Sequence, residues 1–213
     1  MKSFKTFLRE FPSIEMDSFS QRFILDGGRN RQTTDPEFAK RIQKQGNDDF
    51  PSKTTDIGMI GPYSIRIKSF KSGTLPMHTA VIHHEGVPVG SMSFHRFEKP
   101  MTDGKPHQAP YLRVTGIPRI LSSHTGRKGK VPNLAALVYS TVSNHFQLPL
   151  ISDSTHSPGA KNLWTNLSKI GKVSALHSRT GETIDDYNPE KHEEMVYRGN
   201  QAHNWLLVHH PKQ

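Results

Sequence analysis

Cysteine is absent from the 213-residue sequence. Its absence excludes disulfide bonds, a thiolate nucleophile and thiolate metal ligands. Long apolar runs are also missing, because none approaches the about 20 residues of a membrane-spanning helix. The stretch MKSFKTFLRE lacks the apolar segment of a secretory signal. We therefore expect no membrane partner and a location in the cytoplasm.

Hydrophobic residues are scarce, at 33% of the chain with a mean hydropathy of -0.64. This predicts one modest core and extensive polar surface. Acidic residues are scarce in the middle of the chain: residues 51–150 carry 12 basic and 4 acidic side chains, which is +8 of the formal net charge of +9. Such a field attracts a polyanion, either a phosphorylated cofactor or a nucleic acid. The alternative interpretation is that the excess charge only aids solubility.

Composition predicts an N-terminal extension, residues 1–56, followed by one folded domain, residues 57–213. Residues 26–56 are rich in Gly, Asn, Gln, Thr and charged side chains, which indicates a polar linker with at most one short helix around residues 37–45. The first half of the domain is strand-rich, with a hairpin signal at Glu85-Gly86. Strands are predicted within residues 63–68, 78–84, 87–94 and 111–123.

The sequence of the second half of the domain predicts two helices separated by strands. A helix is expected over residues 132–146, with a proline in its first turn. A second helix runs from Ser157-Pro158, an N-cap and first-turn proline, to a stop at Gly171. Short apolar strands are expected at residues 148–151, 173–178 and 205–209. Trp164 and Trp205 fall on inner faces and are predicted to be core residues.

A basic, glycine-containing loop lies between the first group of strands and the first helix. Glycines let the backbone approach an anion, and the unpaired N–H groups of a helix start attract it. A diphosphate is the expected guest, and the alternative is a flexible basic turn. The loop residues are Gly126, Arg127, Lys128, Gly129, Lys130 and Val131.

This order of elements resembles the GNAT superfamily of acyl-CoA-dependent N-acetyltransferases, from about residue 60 to residue 210. In that family the fourth strand leads into an Arg/Gln-x-x-Gly-x-Gly/Ala loop that cradles the coenzyme A pyrophosphate at a helix start. The resemblance implies an α/β (α+β) fold with a mixed, mostly antiparallel central sheet flanked by helices. It also implies acetyl-CoA as cofactor, held by Gly126 to Val131, and an amine of a protein, an aminoacyl group or a small molecule as acceptor.

The sequence departs from the family pattern at three places. Gly126 stands where the family usually has Arg or Gln, and Val131 stands where it has Gly or Ala. On the last helix, Ser157 and Trp164 occupy the positions at which the family often has Asn and a thiolate-protonating Tyr. An indole has no acidic hydroxyl to give.

Two histidines are candidate general bases for attack of the amine on the thioester. His124 ends the strand-rich segment before the loop, and His95 lies on the preceding strand. An imidazole titrates near physiological pH and suits this role, although each of the chain's 13 histidines is more simply explained as a structural residue. His83 and His84 do not predict a metal site, because adjacent strand residues point to opposite faces.

The first ten residues place Phe4, Phe7 and Leu8 on one side of an amphipathic helix. They also resemble the capsid-targeting leader of internal head proteins of large tailed bacteriophages, with a Leu-x-Glu cleavage pattern at Leu8-Arg9-Glu10. This resemblance implies phage head proteins as partners and two possible locations, the bacterial host cytoplasm and the phage head.

Three functions follow, in descending order. The first is an acyl-CoA-dependent N-acyltransferase. The second is a catalytically inactive GNAT-like virion protein, an internal head or structural component. The third is a nucleic-acid binder that uses the basic middle segment, which ranks last because no recognised nucleic-acid-binding motif is present.

Overall fold

One large, mostly antiparallel sheet organises the protein. The computed structural model describes residues 53–72, 75–98, 110–115, 119–120, 124, 131–153, 158–198 and 202–212, together with Lys40. Ten strands lie within these residues: β1 Lys53–Ile60, β2 Tyr63–Ser72, β3 Leu75–His84, β4 Val87–Phe97, β5 Tyr111–Val114, β6 Arg119–Ile120, β7 Leu150–Ile151, β8 Val173–His177, β9 Thr183–Ile184 and β10 Trp205–His209.

Two α-helices connect the later strands, α1 Leu134–Phe146 and α2 Pro158–Ile170. A π-helical turn, Glu194–Arg198, and a 3-10 turn, Ala202–Asn204, lead into β10. The strand order is β1-β2-β3-β4-β5-β7-β10-β8-β9, and β6 pairs with β4 beyond the end of β5. These observations confirm the α+β class and the mostly antiparallel sheet.

The first four strands form an antiparallel meander. The turn between β3 and β4 has positive φ at both Glu85 (53°) and Gly86 (79°), as a type I′ hairpin requires. The predicted hairpin is therefore confirmed. The predicted linker is wrong at its end, because residues 53–56 belong to β1 and pair with β2. The rest of the linker lies outside the described residues, except Lys40.

The main core lies between the sheet and the two helices. Phe94 of β4 meets Tyr139 of α1 edge-on, with ring centroids 5.8 Å apart, and Tyr139 meets Trp164 of α2 at 6.3 Å. The inner face of α2 is buried at Leu163, Trp164 and Leu167. Trp205 is also buried, so both tryptophans are core residues as predicted.

Alternation along the strands gives the sheet a second buried face. Because Phe94 points toward the helices, His95 points away from them. A smaller apolar cluster occupies this second face, and its buried members are Tyr111, Ile151, Leu176, Leu206 and Val208.

Candidate functional site

β5 and β7 are parallel neighbours whose pairing stops at their carboxyl ends. They pair over only two residues each, 112–113 with 150–151. Beyond this point Thr115 N donates to a β4 carbonyl at 3.1 Å, whereas Ser152 N donates to a β10 carbonyl at 2.8 Å. The β5–β7 ladder ends at the carboxyl ends of two parallel strands, where sheets containing parallel strands commonly bind ligands. We call this end of the sheet the carboxyl-end side.

The start of α1 lies on the carboxyl-end side. A helix that connects two parallel strands must run back along the sheet, so its first turn lies near the carboxyl end of β5. Asn133, the N-cap residue, makes no side-chain cap hydrogen bond, and the first turn of α1 contains no acidic residue. These features leave the backbone N–H groups of the first turn compatible with an anion such as a diphosphate.

Three aromatic side chains meet on the carboxyl-end side at the end of β3 and the start of β2. The Tyr63 hydroxyl oxygen lies 3.2 Å from His124 Nδ1, within hydrogen-bond distance. The centroid of the His84 ring lies 5.2 Å from that of Tyr63 and 5.1 Å from that of His124. Tyr63 is fully buried, so packing fixes one side of this group. We call Tyr63, His84 and His124 the Tyr–His cluster.

A carboxylate lies beside the Tyr–His cluster. Glu85 Oε1 is 4.0 Å from His84 Nε2, which is too long for a hydrogen bond. His84 Nε2 is itself buried without a hydrogen bond. The Glu85 side chain is 77% exposed, so water weakens its electrostatic influence on the two imidazoles.

His124, just before the basic loop, and Val131, its last residue, both contact the region where β1 turns into β2. His124 reaches Tyr63, the first residue of β2. Val131 packs against Gly61, where an added Cβ would lie 2.8 Å from Val131 Cγ2. Gly61 also has a φ of +55°, which suits glycine. These two contacts fix the positions of His124 and Val131. Of the predicted cofactor residues only Val131 is described, since Gly126 to Lys130 lie outside the described residues.

His95 does not join His124. It pairs with Met77 of β3, seven strand positions from His84, which is roughly 24 Å at 3.4 Å per residue. Its ring lies beside Phe97 on the face opposite the helices, with centroids 6.5 Å apart. Burial lowers the pKa of His95 from its ordinary value. The two predicted bases therefore cannot act at one site, and of the two only His124 lies beside the loop.

The start of α2 also lies on the carboxyl-end side and carries an ion-pair network. Glu193 accepts from Lys161 Nζ and Arg198 Nη2, each at 2.7 Å. The Lys161 hydrogen bond, with a smaller effect from the Arg198 charge, holds the pKa of the Glu193 carboxyl below its usual range. This network fixes the π-helical turn against the first part of α2.

Trp164 offers no proton to a leaving group. It is 2% exposed and packs edge-on against Tyr139. Asp153, at the carboxyl end of β7, is exposed. Ser157 lies outside the described residues.

Sequence reasoning missed Tyr63 and His84. The strand register could have indicated them. Tyr63 follows one two-residue turn and His84 precedes another, and the pairing of Tyr63 with His84 brings both turns to one end of the sheet. His83, by contrast, pairs across from Ser64 on the other face, so the two adjacent histidines do not converge. Within the described residues, no three acidic or histidine side chains form a group suited to a metal ion.

No described helix is both long enough and apolar enough to cross a bilayer. Comparison with protein-family models finds no matching family, and comparisons with curated proteins and with solved structures find no significant match.

Proposed function

We propose that the protein is an acyl-CoA-dependent N-acyltransferase that transfers an acetyl group from acetyl-CoA to an amine. The observation that carries the proposal is that the β5–β7 ladder ends at the carboxyl ends of two parallel strands, on the same side of the sheet as the start of α1, His124 and Val131. A strand, an anion-binding loop, a helix and a parallel strand in this order are also what the GNAT resemblance implies. The +8 charge of residues 51–150 favours a phosphorylated cofactor.

The chain's own residues supply binding and proton transfer in this proposal. Gly126 to Val131, with the start of α1, would hold the diphosphate of acetyl-CoA, which supplies the thioester when bound. His124 would accept the proton that the amine loses as its nitrogen bonds to the carbonyl carbon; the carbon–sulfur bond would break, and coenzyme A would leave as a thiolate that takes a proton from solvent. The Thr115 N–H already donates to a β4 carbonyl, so it does not stabilise the negative charge that develops on the carbonyl oxygen.

A second candidate function is a catalytically inactive phage virion protein with a GNAT-like fold. One specific observation favours it: Trp164, which takes the family's tyrosine position in the resemblance, is buried in the core and has no hydroxyl. Such a protein would keep the sheet and lose cofactor affinity. Binding of acetyl-CoA therefore discriminates between the two functions.

The first test is calorimetric titration of the full chain with acetyl-CoA at moderate salt. We expect micromolar binding, and we expect Gly129→Asp to abolish it, because a carboxylate in the loop repels the diphosphate and its Cβ obstructs close approach. Lys169→Gln is the matched control, because it lowers the net charge by the same one unit. Lys169 lies in the last turn of α2, away from the carboxyl-end side of the sheet, so this variant should leave the affinity unchanged.

Unchanged affinity in Gly129→Asp would reject the loop as the binding site. No binding by the wild-type chain would favour the virion protein. If acetyl transfer to an amine is detected, His124→Ala should flatten the rise of rate with pH, and His95→Ala should not, because His95 lies on the other face of the sheet. The reverse result would move the base to His95.

A further inference from the structure

Residues 209–212 join the end of β10 to the ends of both helices. His210 N–H donates to Lys172 O at 3.0 Å, just beyond the end of α2. Lys212 N–H donates to Asn144 Oδ1 at 2.8 Å, in the last turn of α1. Because β10 runs antiparallel to β7, this end of the sheet lies opposite the carboxyl-end side. We call these four residues the 209–212 segment.

His209 is the fully buried residue of the 209–212 segment. Its side chain shares the helix-facing side of β10 with Trp205 and Leu207. A Cβ at Gly171 would lie 2.6 Å from its Cε1, so the imidazole fills the space beside the end of α2. Neither ring nitrogen has a hydrogen-bond partner among the described residues. A protonated ring would bury a charge and two N–H donors at this position, which is unfavourable.

The titratable and charged groups that face His209 are all basic. They are His210 beside it, Lys172 on the turn between α2 and β8, and Lys212 beside the last turn of α1, while the strand partners on β7 and β8 are apolar. Asp185, a carboxylate beyond β9, acts on His210. Burial is the largest cause that lowers the pKa of His209, to about 4, and the neighbouring positive charges add to it. The Lys172 backbone opposes this shift in part, although its carbonyl already accepts the His210 N–H.

We propose that the 209–212 segment is an acid-sensitive switch, in which a proton taken up by His209 releases the segment from the ends of both helices while the rest of the sheet stays folded. The protonated ring reaches water only when the segment moves away from α2. It also competes with the His210 N–H for the Lys172 carbonyl. The open form therefore binds the proton more tightly than the closed form, and acid raises the open population. This inference does not depend on the proposed acyltransferase function.

Amide hydrogen exchange of the full chain reports the open population. It is measured by NMR at pH 7 and pH 5 and is corrected for the intrinsic exchange rates. With a pKa of about 6.5 in the open form and about 4 in the closed form, protection of the His210 amide should fall on the order of 20-fold between these pH values. A local opening exposes little surface, so this protection should respond weakly to low concentrations of urea, unlike that of the β3 amides.

Three variants test the role of His209. His209→Leu removes the titrating group and should abolish the pH dependence at the His210 amide. His145→Gln is the matched control, because it removes an exposed histidine from the last turn of α1, and should keep the wild-type fall. Asn144→Ala removes the acceptor of the Lys212 N–H, so it should lower protection by the same factor at both pH values.

Protection of the His210 amide that is equal at pH 7 and pH 5 overturns the proposal, as does a fall that His209→Leu retains. Equal protection of the His210 amide and the β3 amides also overturns it, because the segment would then open only by global unfolding. Should His209→Leu fail to fold, His210→Gln decides. A fall that is retained without the His210 imidazole supports the switch, and a fall that disappears overturns it.

Discussion

Several imidazoles are buried or half-buried, and their surroundings disfavour a positive charge. For each, burial is the first cause that lowers the pKa from its ordinary value, and the set is His78, His83, His95, His209 and His210. Only His78 Nδ1 and His210 Nε2 have a described hydroxyl partner, Ser69 at 2.8 Å and Ser174 at 2.8 Å respectively. Burial therefore disfavours the charged form of each of these imidazoles.

His209 is the most affected of these histidines. It is fully buried, neither ring nitrogen makes a hydrogen bond, and its pKa falls to about 4. The unfolded chain binds this proton near pH 6.5, so it holds more protons than the folded chain between pH 6.5 and 4. We expect this difference in proton binding to lower the free energy of unfolding by about 3 kcal/mol as the pH falls through this window. Urea unfolding at pH 7, 5.5 and 4.5 measures it.

The comparison variants for this prediction are His209→Leu and His145→Gln. His209→Leu should flatten part of the pH dependence, leaving the share of the other buried histidines. His145 is an exposed residue in the last turn of α1, and its replacement should keep the wild-type slope. Equal slopes in the wild type and His209→Leu would show that His209 is protonated at little cost in the folded chain.

At the scale of elements, the end of α2 is shaped by one contact with β10. The Gly171 N–H donates to Leu167 O and ends the helix, as the sequence predicted. A Cβ at Gly171 would lie 2.6 Å from His209 Cε1, closer than real Cβ contacts allow. The glycine is therefore required by close packing, and no positive φ is involved.

We expect Gly171→Ala to cost about 1–3 kcal/mol, because the added methyl group overpacks a buried site. The measurement is urea unfolding of the two single variants, Gly171→Ala and His209→Ala, and of the double variant. Removing the imidazole makes room for the methyl group, so the cost of Gly171→Ala should shrink in the His209→Ala background. Strict additivity in this cycle would mean that the clash is relieved elsewhere.

Most elements were predictable because their patterns are strong. The hairpin at Glu85-Gly86 and the buried face of α2 depend on local turn chemistry and on helical periodicity, and both are confirmed. β1 was missed because it is an edge strand whose residues are mostly exposed, including Asp56, which pairs with Arg66 at 2.8 Å. A polar edge strand lacks the apolar alternation that marks a strand in a sequence.

At the scale of the whole molecule, the positive charge is a function of composition and does not depend on the fold. Residues 51–150 hold +8 of the +9, so we expect the chain to bind any polyanion weakly at low salt. Fluorescence anisotropy with a random DNA duplex should show affinity that falls steeply between 50 and 200 mM salt. Acetyl-CoA binding should fall less, because it carries fewer charges and contacts a shaped site.

A different result would change the ranking of functions. DNA affinity that depends on base sequence and persists at 200 mM salt would favour the nucleic-acid binder, which the sequence ranks last. Affinity for both ligands, with DNA displacing acetyl-CoA, would indicate that the basic loop serves both.

The sequence alone determined the exclusion of cysteine chemistry, the positive charge, most strands and both helices, because these depend on composition and on contacts between residues near one another in the chain. It also named His124 from its position before the loop. Only the tertiary structure decided that His124 meets Tyr63 and His84, that His95 lies apart on the other face, and that β5 and β7 are parallel neighbours. Those facts depend on strand register and strand order, and a register shift of one residue changes which side chains meet without changing the local pattern of the sequence.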